Sequence, residues 1–274
     1  MRKRIFSSTK KNSIIWFLCL LGLLTSCTQK GEIVLSGYIE GEYTYIASGV
    51  GGTLINLAVS RGQQIKTGAL LYELDPQPEK AILDSSKARL SELQVQLTLA
   101  AVQFGRQASL FQTHATSRVA YDIAEADFHT KQNQYLEIQS EITRANWAVE
   151  QKTMTAPVNG EIFDTFFRLG EKVAVDQPVL AILAPENIHV LFYVPETQLS
   201  KIKIGETLSF GCDSCAHKTQ ATISYISPQA EYTPPVIYSK DTRDDLVYLV
   251  RADMPAKVAV QFHPGQPVDV FLHE

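Results

Sequence analysis

One pattern of residues occurs twice in this chain, and the two copies are separated by a long stretch of a different kind. The first copy reads Gly52-Thr-Leu-Ile-Asn-Leu-Ala-Val-Ser-Arg-Gly62, followed by Ile65, Gly68, Leu71 and Leu74. The second reads Gly160-Glu-Ile-Phe-Asp-Thr-Phe-Phe-Arg-Leu-Gly170, followed by Val173, Asp176, Val179 and Ile182, with every position at the same offset from its counterpart. Short apolar runs punctuated by turn residues predict strands joined by tight turns, and glycine suits such turns because it accepts positive φ without a steric penalty. Neither copy alone can bury both faces of its strands. The two are therefore expected to close into one small β-sandwich from residues 47–75 and 154–184.

The intervening residues, 76–153, contain no proline after Pro78, and Gly105 is their only glycine. Leu83, Leu90, Leu97, Phe104 and Phe111 recur at intervals of seven; after a short break Tyr121, Phe128, Tyr135, Ile142 and Val149 do the same. Leu93 and Ile138, each three residues beyond a member of its series, supply second seam positions. The pattern predicts an antiparallel coiled-coil hairpin with arms about 50 Å long. Asp75-Pro76 is a suitable helix start, since Asp accepts backbone N–H bonds and proline is tolerated in the first turn. From residue 185 to 274 the pattern returns to β. Candidate strands are Ile188–Val194, Thr207–Gly211, Thr219–Ile226, Leu246–Ala252 and Val268–Leu272, with a short helix at Glu196–Ile202 and a proline-bearing loop over Ser227–Asp245. Five or six strands with one helix suggest a small β-barrel. The class is α+β.

The first 26 residues differ from all the rest. Arg2, Lys3, Arg4, Lys10 and Lys11 are their charges, followed by the apolar stretch Ile14–Leu24 and then Leu24-Thr25-Ser26-Cys27. A basic start, a short apolar run and small residues before a cleavage point describe a secretory signal; a bilayer-spanning helix needs about 20 apolar residues. The ending at Cys27 resembles the lipobox of bacterial lipoproteins, which implies removal of residues 1–26, lipidation of Cys27 and a tether at a membrane surface. Residues 27–46 are then a linker and a first strand. Removing a purely basic leader makes the remainder more acidic than the whole chain's net charge of −4, which argues against nucleic acid as a partner. With Cys19 in the leader, Cys212 and Cys215 are left as a Cys-x-x-Cys pair: a small structural disulfide, free thiols, a redox centre, or half a metal site for which only His217 is nearby.

The order of these parts resembles the HlyD-type periplasmic adaptors, also called membrane fusion proteins: a split lipoyl-like β-sandwich around Gly52–Leu74 and Gly160–Ile182, a heptad hairpin inserted in it, and a barrel after it. At the bend, Arg106, Leu110 and Ser117 match in type and spacing the hairpin-tip motif of adaptors that dock on TolC-like channels. Tyr232-Thr-Pro-Pro-Val-Ile-Tyr-Ser239 is similar to a segment of adaptors that serve ABC-type exporters. The resemblance implies a lipid-anchored periplasmic subunit, with the inner membrane favoured for the anchor (although Thr28 beside the cysteine fits an outer-membrane sorting pattern). It would self-associate into a ring and bridge an ABC-type inner-membrane transporter to a TolC-like outer-membrane channel. Because the chain stops at the barrel, the additional membrane-proximal domain of many relatives is expected to be absent or reduced.

Enzymatic alternatives lack their residues. No Gly-x-x-x-x-Gly-Lys-Ser/Thr loop, His-Glu-x-x-His pair or Gly-x-Ser-x-Gly elbow occurs, so neither a cofactor nor a metal is expected. A carrier of a swinging lipoyl or biotinyl group needs a lysine on the turn joining the β-halves, and that junction is the hairpin. A structural envelope lipoprotein, using its hairpin for some other partner, is the competing reading from a different class.

Overall fold

The structure, a computed structural model, describes residues 33–213, 215, 217–232 and 246–272. Their order is β1 (Ile33–Ala47), β2 (Gly52–Leu57), β3 (Gln64–Ile65), β4 (Leu70–Leu74), α1 (Gln77–Gln112), α2 (Arg118–Glu150), β5 (Thr153–Thr155), β6 (Gly160–Thr165), β7 (Lys172–Val173) and β8 (Pro178–Pro195). Then come α3 (Glu196–Leu199), β9 (Thr207–Gly211), β10 (Thr219–Tyr232), β11 (Leu246–Asp253), α4 (Ala256–Ala259) and β12 (Pro267–Leu272). Two compact units divide them: Ile39–His189 with Asp253–Gln266, and the described residues of 33–38, 190–252 and 267–272.

In the first unit the two copies of the repeat interlock strand by strand. Gly52 pairs with Val173 between β2 and β7, and the equivalent pair, Gly160 with Ile65, joins β6 to β3. The loop hydrogen bonds obey the same pseudo-symmetry. Gly62 N donates to Ile162 O and Gly170 N to Leu54 O, both at 2.8 Å, while Leu54 N donates to Glu171 O as Ile162 N does to Gln63 O. Each half thus completes the other's backbone ladder, and a single copy would leave these backbone groups without their partners. The matching apolar positions Leu54 and Ile162, Leu71 and Val179, and Leu74 and Ile182 are all fully buried in one core. At the turns, Gly62 and Gly170 have φ of 79° and 87°. The turn that uses Gly68 in the first copy uses Asp176 in the second, at φ 84° and 59°, aspartate being among the few other residues that tolerate this region.

The hairpin α1–α2 is inserted between β4 and β5. Its deepest positions are Leu83, Ser86, Leu93, Ala100, Ile138 and Ala145, whereas the seven-residue series Leu90, Leu97, Phe104, Tyr121, Phe128 and Tyr135 is half-buried. A helix with one partner covers the centre of its seam and leaves the flanks open, and small side chains at the centre allow the helices to approach closely. Polar contacts fix the pairing: Ser86 Oγ donates to Glu141 Oε1 at 3.1 Å and Lys131 Nζ to Gln96 Oε1 at 2.9 Å. The helix start differs in detail from the expectation. Pro76 lies outside α1, the first-turn proline is Pro78, and Asp75 Oδ1 accepts the Gln77 N–H at 3.0 Å.

The second unit is a closed barrel in which β1, β12, β9, β10, β11 and β8 follow one another and β8 returns to β1. Gly37 is required there, because a Cβ would stand 2.5 Å from Leu191 O. Strand β10 continues to Tyr232, past the expected end at Ile226. Its pairing with β9 stops at Thr222, so Pro228 sits where a missing N–H breaks no bond to β9. A second short helix, α4, lies in the first unit and was not foreseen by the periodicity. At the end of β9, Cys212 and Cys215 form a disulfide with a Cα–Cα separation of 5.0 Å.

Candidate docking site at the hairpin tip

The tip is built by how α1 ends and α2 begins. Beyond Gln112 the chain turns through His114 at φ 60°. Ala115 N donates back to Leu110 O at 2.8 Å and His114 N to Phe111 O at 3.1 Å. These two bonds are a Schellman closure, with histidine in the left-handed position that glycine more often fills. Ser117 then caps α2, its hydroxyl accepting the Ala120 N–H at 3.2 Å. Across the bend Thr116 Oγ1 donates to Gln107 Oε1 at 2.8 Å. Below it the facing helices interleave Phe104, Phe111, Tyr121 and Phe128, with ring centroids 5.2–5.6 Å apart. Arg118 lies 5.6 Å from the Phe111 and Tyr121 ring centres and pairs with Asp122 at 2.8 Å. Aromatic stacking and backbone closure together hold the bend in one shape.

On this frame Arg106 and Leu110, four residues apart, lie on one outward face of α1. Arg106 is exposed, with no ion pair among the described residues, and Leu110 is 43% exposed. Ser117 is exposed, but its hydroxyl oxygen is engaged in capping. The same region presents side chains that the seam pattern did not single out. Val102 continues the Arg106–Leu110 face, and Val119 and Ile123 stand 66% and 64% exposed at the start of α2. Their signal in the sequence was apolar character away from the seam positions. The arrangement can offer a charged fork beside apolar side chains; it brings no nucleophile, acid–base pair or ligand cluster together, and no described group of His, Cys, Asp and Glu could hold a metal. Of the other sequence-predicted residues, Cys27 and all but the first residue of the Tyr232–Ser239 segment lie outside the described residues. No described helix is long and apolar enough to cross a membrane.

The family model for the RND membrane fusion protein barrel-sandwich hybrid domain matches residues 42–184, more than half of the chain. The chain belongs to the RND-type membrane fusion protein family. It is therefore a membrane-associated periplasmic adaptor, a non-enzymatic class, and the matched span is the β-sandwich together with its inserted hairpin. Among curated relatives, the UPF0194 membrane protein YbhG of Salmonella gallinarum (strain 287/91 / NCTC 13346) is 26% identical over 276 residues, covering 81% of this adaptor and 83% of that protein. Two solved structures share the adaptor's fold. The membrane fusion protein Spr0693 from Streptococcus pneumoniae R6 has a TM-score of 0.66 at 16% identity, covering 87% of this chain and 98% of that one. MacA from Actinobacillus actinomycetemcomitans has a TM-score of 0.63 at 21% identity, covering 88% and 78%.

Proposed function

We propose that this adaptor joins an ABC-type inner-membrane transporter to a TolC-like outer-membrane channel in a tripartite export pump. Cys27 carries its lipid anchor, and several copies assemble as a ring. The observation that carries the docking half of this reading is the hairpin tip: Arg106 and Leu110 project together from a bend whose shape is fixed by backbone closure and aromatic packing. A guanidinium with five donors suits the carbonyls and carboxylates of a channel end, and Leu110 adds an apolar contact beside it. Two acyl chains on Cys27 would hold the protein at a membrane, where one chain binds only marginally. Support for the ABC-type partner comes from the Tyr232–Ser239 segment, whose residues resemble those of ABC-linked adaptors.

The test is co-purification of the intact, lipid-bearing protein from solubilised envelopes, with a photo-crosslinker placed at Leu110. Capture of an ABC transporter, together with a crosslink from residue 110 to an outer-membrane channel, is the expected result. An RND-type transporter in its place refutes the transporter class. A crosslink at Leu110 to anything other than a channel refutes the docking assignment.

A further inference from the structure

At the base of the hairpin a lysine is buried where sequence reasoning placed nothing. The Lys152 side chain, in the turn between α2 and β5, is only 2% exposed. Its Nζ donates to the Gly51 carbonyl at 2.7 Å and lies 2.9 Å from Glu79 Oε1, in the first turn of α1. One lysine side chain, rooted at the foot of α2, therefore ties the foot of α1 to the bend at Gly51 of the sandwich. Its surroundings are shaped to admit it: a Cβ on Gly52 would come within 2.9 Å of Nζ. The neighbouring backbone is tied in as well. Ser48 Oγ, fully buried, donates to Gln151 O at 2.7 Å, Leu74 N donates to Lys152 O and Asp75 N to Thr53 O, both at 2.8 Å. The Trp147 indole lies over Gly49, 3.0 Å from where a Cβ would be.

Stability alone is a poor reason for such a pair. Removing two charges from water is costly, and buried ion pairs can often be replaced by apolar residues of similar volume at little or no loss. Here the cost is compounded, since Glu79 Oε2 is buried without a hydrogen-bond partner among the described residues. What apolar side chains cannot reproduce is direction. The Nζ contacts fix α1, the end of α2 and the bend at Gly51 to one another at hydrogen-bond distances, whereas methyl groups pack at many angles. We propose that the Lys152–Glu79 pair is an orienting clamp, setting the angle at which the hairpin leaves the sandwich rather than holding the fold together.

The experiment places spin labels, as noncanonical residues, at Lys66 in the sandwich and Ser109 in the hairpin of the full chain. Distance distributions and melting temperatures are then compared among the native protein, Lys152→Met, and the double variant Lys152→Met/Glu79→Met. The single variant strands Glu79 and is expected to lower the melting temperature by about 10 °C. The double variant should recover most of that loss while its Lys66–Ser109 distribution broadens at least twofold or shifts. A recovered double variant with the native distribution overturns the clamp. So does a double variant as unstable as Lys152→Met, because the pair would then be a stability element. Glu79→Gln keeps an oxygen acceptor for Nζ and should keep the distribution narrow; broadening there refutes the role given to the directed contacts.

Discussion

Tyr72 buries its hydroxyl in the sandwich, where the group has no hydrogen-bond partner among the described residues. It lies in β4, which is flanked by β2 and β5. The register of β4 on β5 shifts between Leu70 and Tyr72. The shift breaks the strict alternation of faces, so Leu71 and Tyr72 are both fully buried in succession. A buried, unpaired hydroxyl costs about 1–3 kcal/mol. Replacing it with hydrogen changes the side-chain volume little, so Tyr72→Phe should stabilise the protein by about 1 kcal/mol near neutral pH. That corresponds to a rise in melting temperature of about 2–4 °C for a chain of this size. A second consequence follows at alkaline pH. Burial pushes the Tyr72 phenol up to about 12 from its ordinary 10.0. Between those values the unfolded chain releases the proton and the folded chain keeps it, so stability is intact below pH 10 and falls as pH rises towards 12. By pH 11 the loss from this one group is at most about 1.4 kcal/mol. Tyr43 and Tyr193 are also raised, chiefly by burial, but both variants share them, so the difference isolates Tyr72. Urea unfolding followed by circular dichroism at pH 7, 9, 10 and 11 makes the comparison. The advantage of Tyr72→Phe should widen above pH 10. A variant less stable than the native protein at pH 7, or an advantage that does not change with pH, would show that the hydroxyl is satisfied and the argument wrong.

Three further outcomes are expected. Arg106→Asp should abolish export at matched protein levels without altering folding or membrane attachment, while Lys87→Asp, exposed lower on the same hairpin, should be nearly silent; export assays in cells decide it, and normal export by Arg106→Asp removes the tip as the docking surface. Metabolic labelling with a fatty acid should mark the native chain and not Cys27→Ser, and equal labelling of both ends the lipoprotein reading. Thiol trapping of the exported protein should find Cys212 and Cys215 unreactive until reduction; because the closed loop is short, reducing it should cost at most a few kcal/mol, roughly, read as a small shift in the urea midpoint.

Much of the architecture was present in the sequence because it was written in repetition. The constant offset between Gly52 and Gly160, and between each later pair, reflects two copies that must satisfy each other's backbone, so the sandwich could be inferred without coordinates. The recurrence at intervals of seven from Leu83 to Phe111 and from Tyr121 to Val149 likewise follows from a single seam on each helix, a local and periodic constraint. Glycine at 62 and 170 marks turns for a reason internal to one residue. Ser117 was legible for its capping chemistry, and Arg106 and Leu110, four residues apart, as neighbours on one face of α1. The structure decided what depends on residues far apart in the chain. Nothing in the neighbourhood of Lys152 signals burial, because its partners are Glu79, before the whole hairpin, and the carbonyl of Gly51. His114 does not advertise a left-handed turn, which is imposed by the closure of α1 onto α2. Strand β10 passes Pro228 because its contact with β9 ends earlier, a fact of register rather than composition. Tyr72 is buried by a bulge in strand pairing that no apolar period encodes. Periodic, local demands leave a trace in sequence; the one-off contacts between distant residues, each satisfied by a particular packing, exist only once the chain has folded.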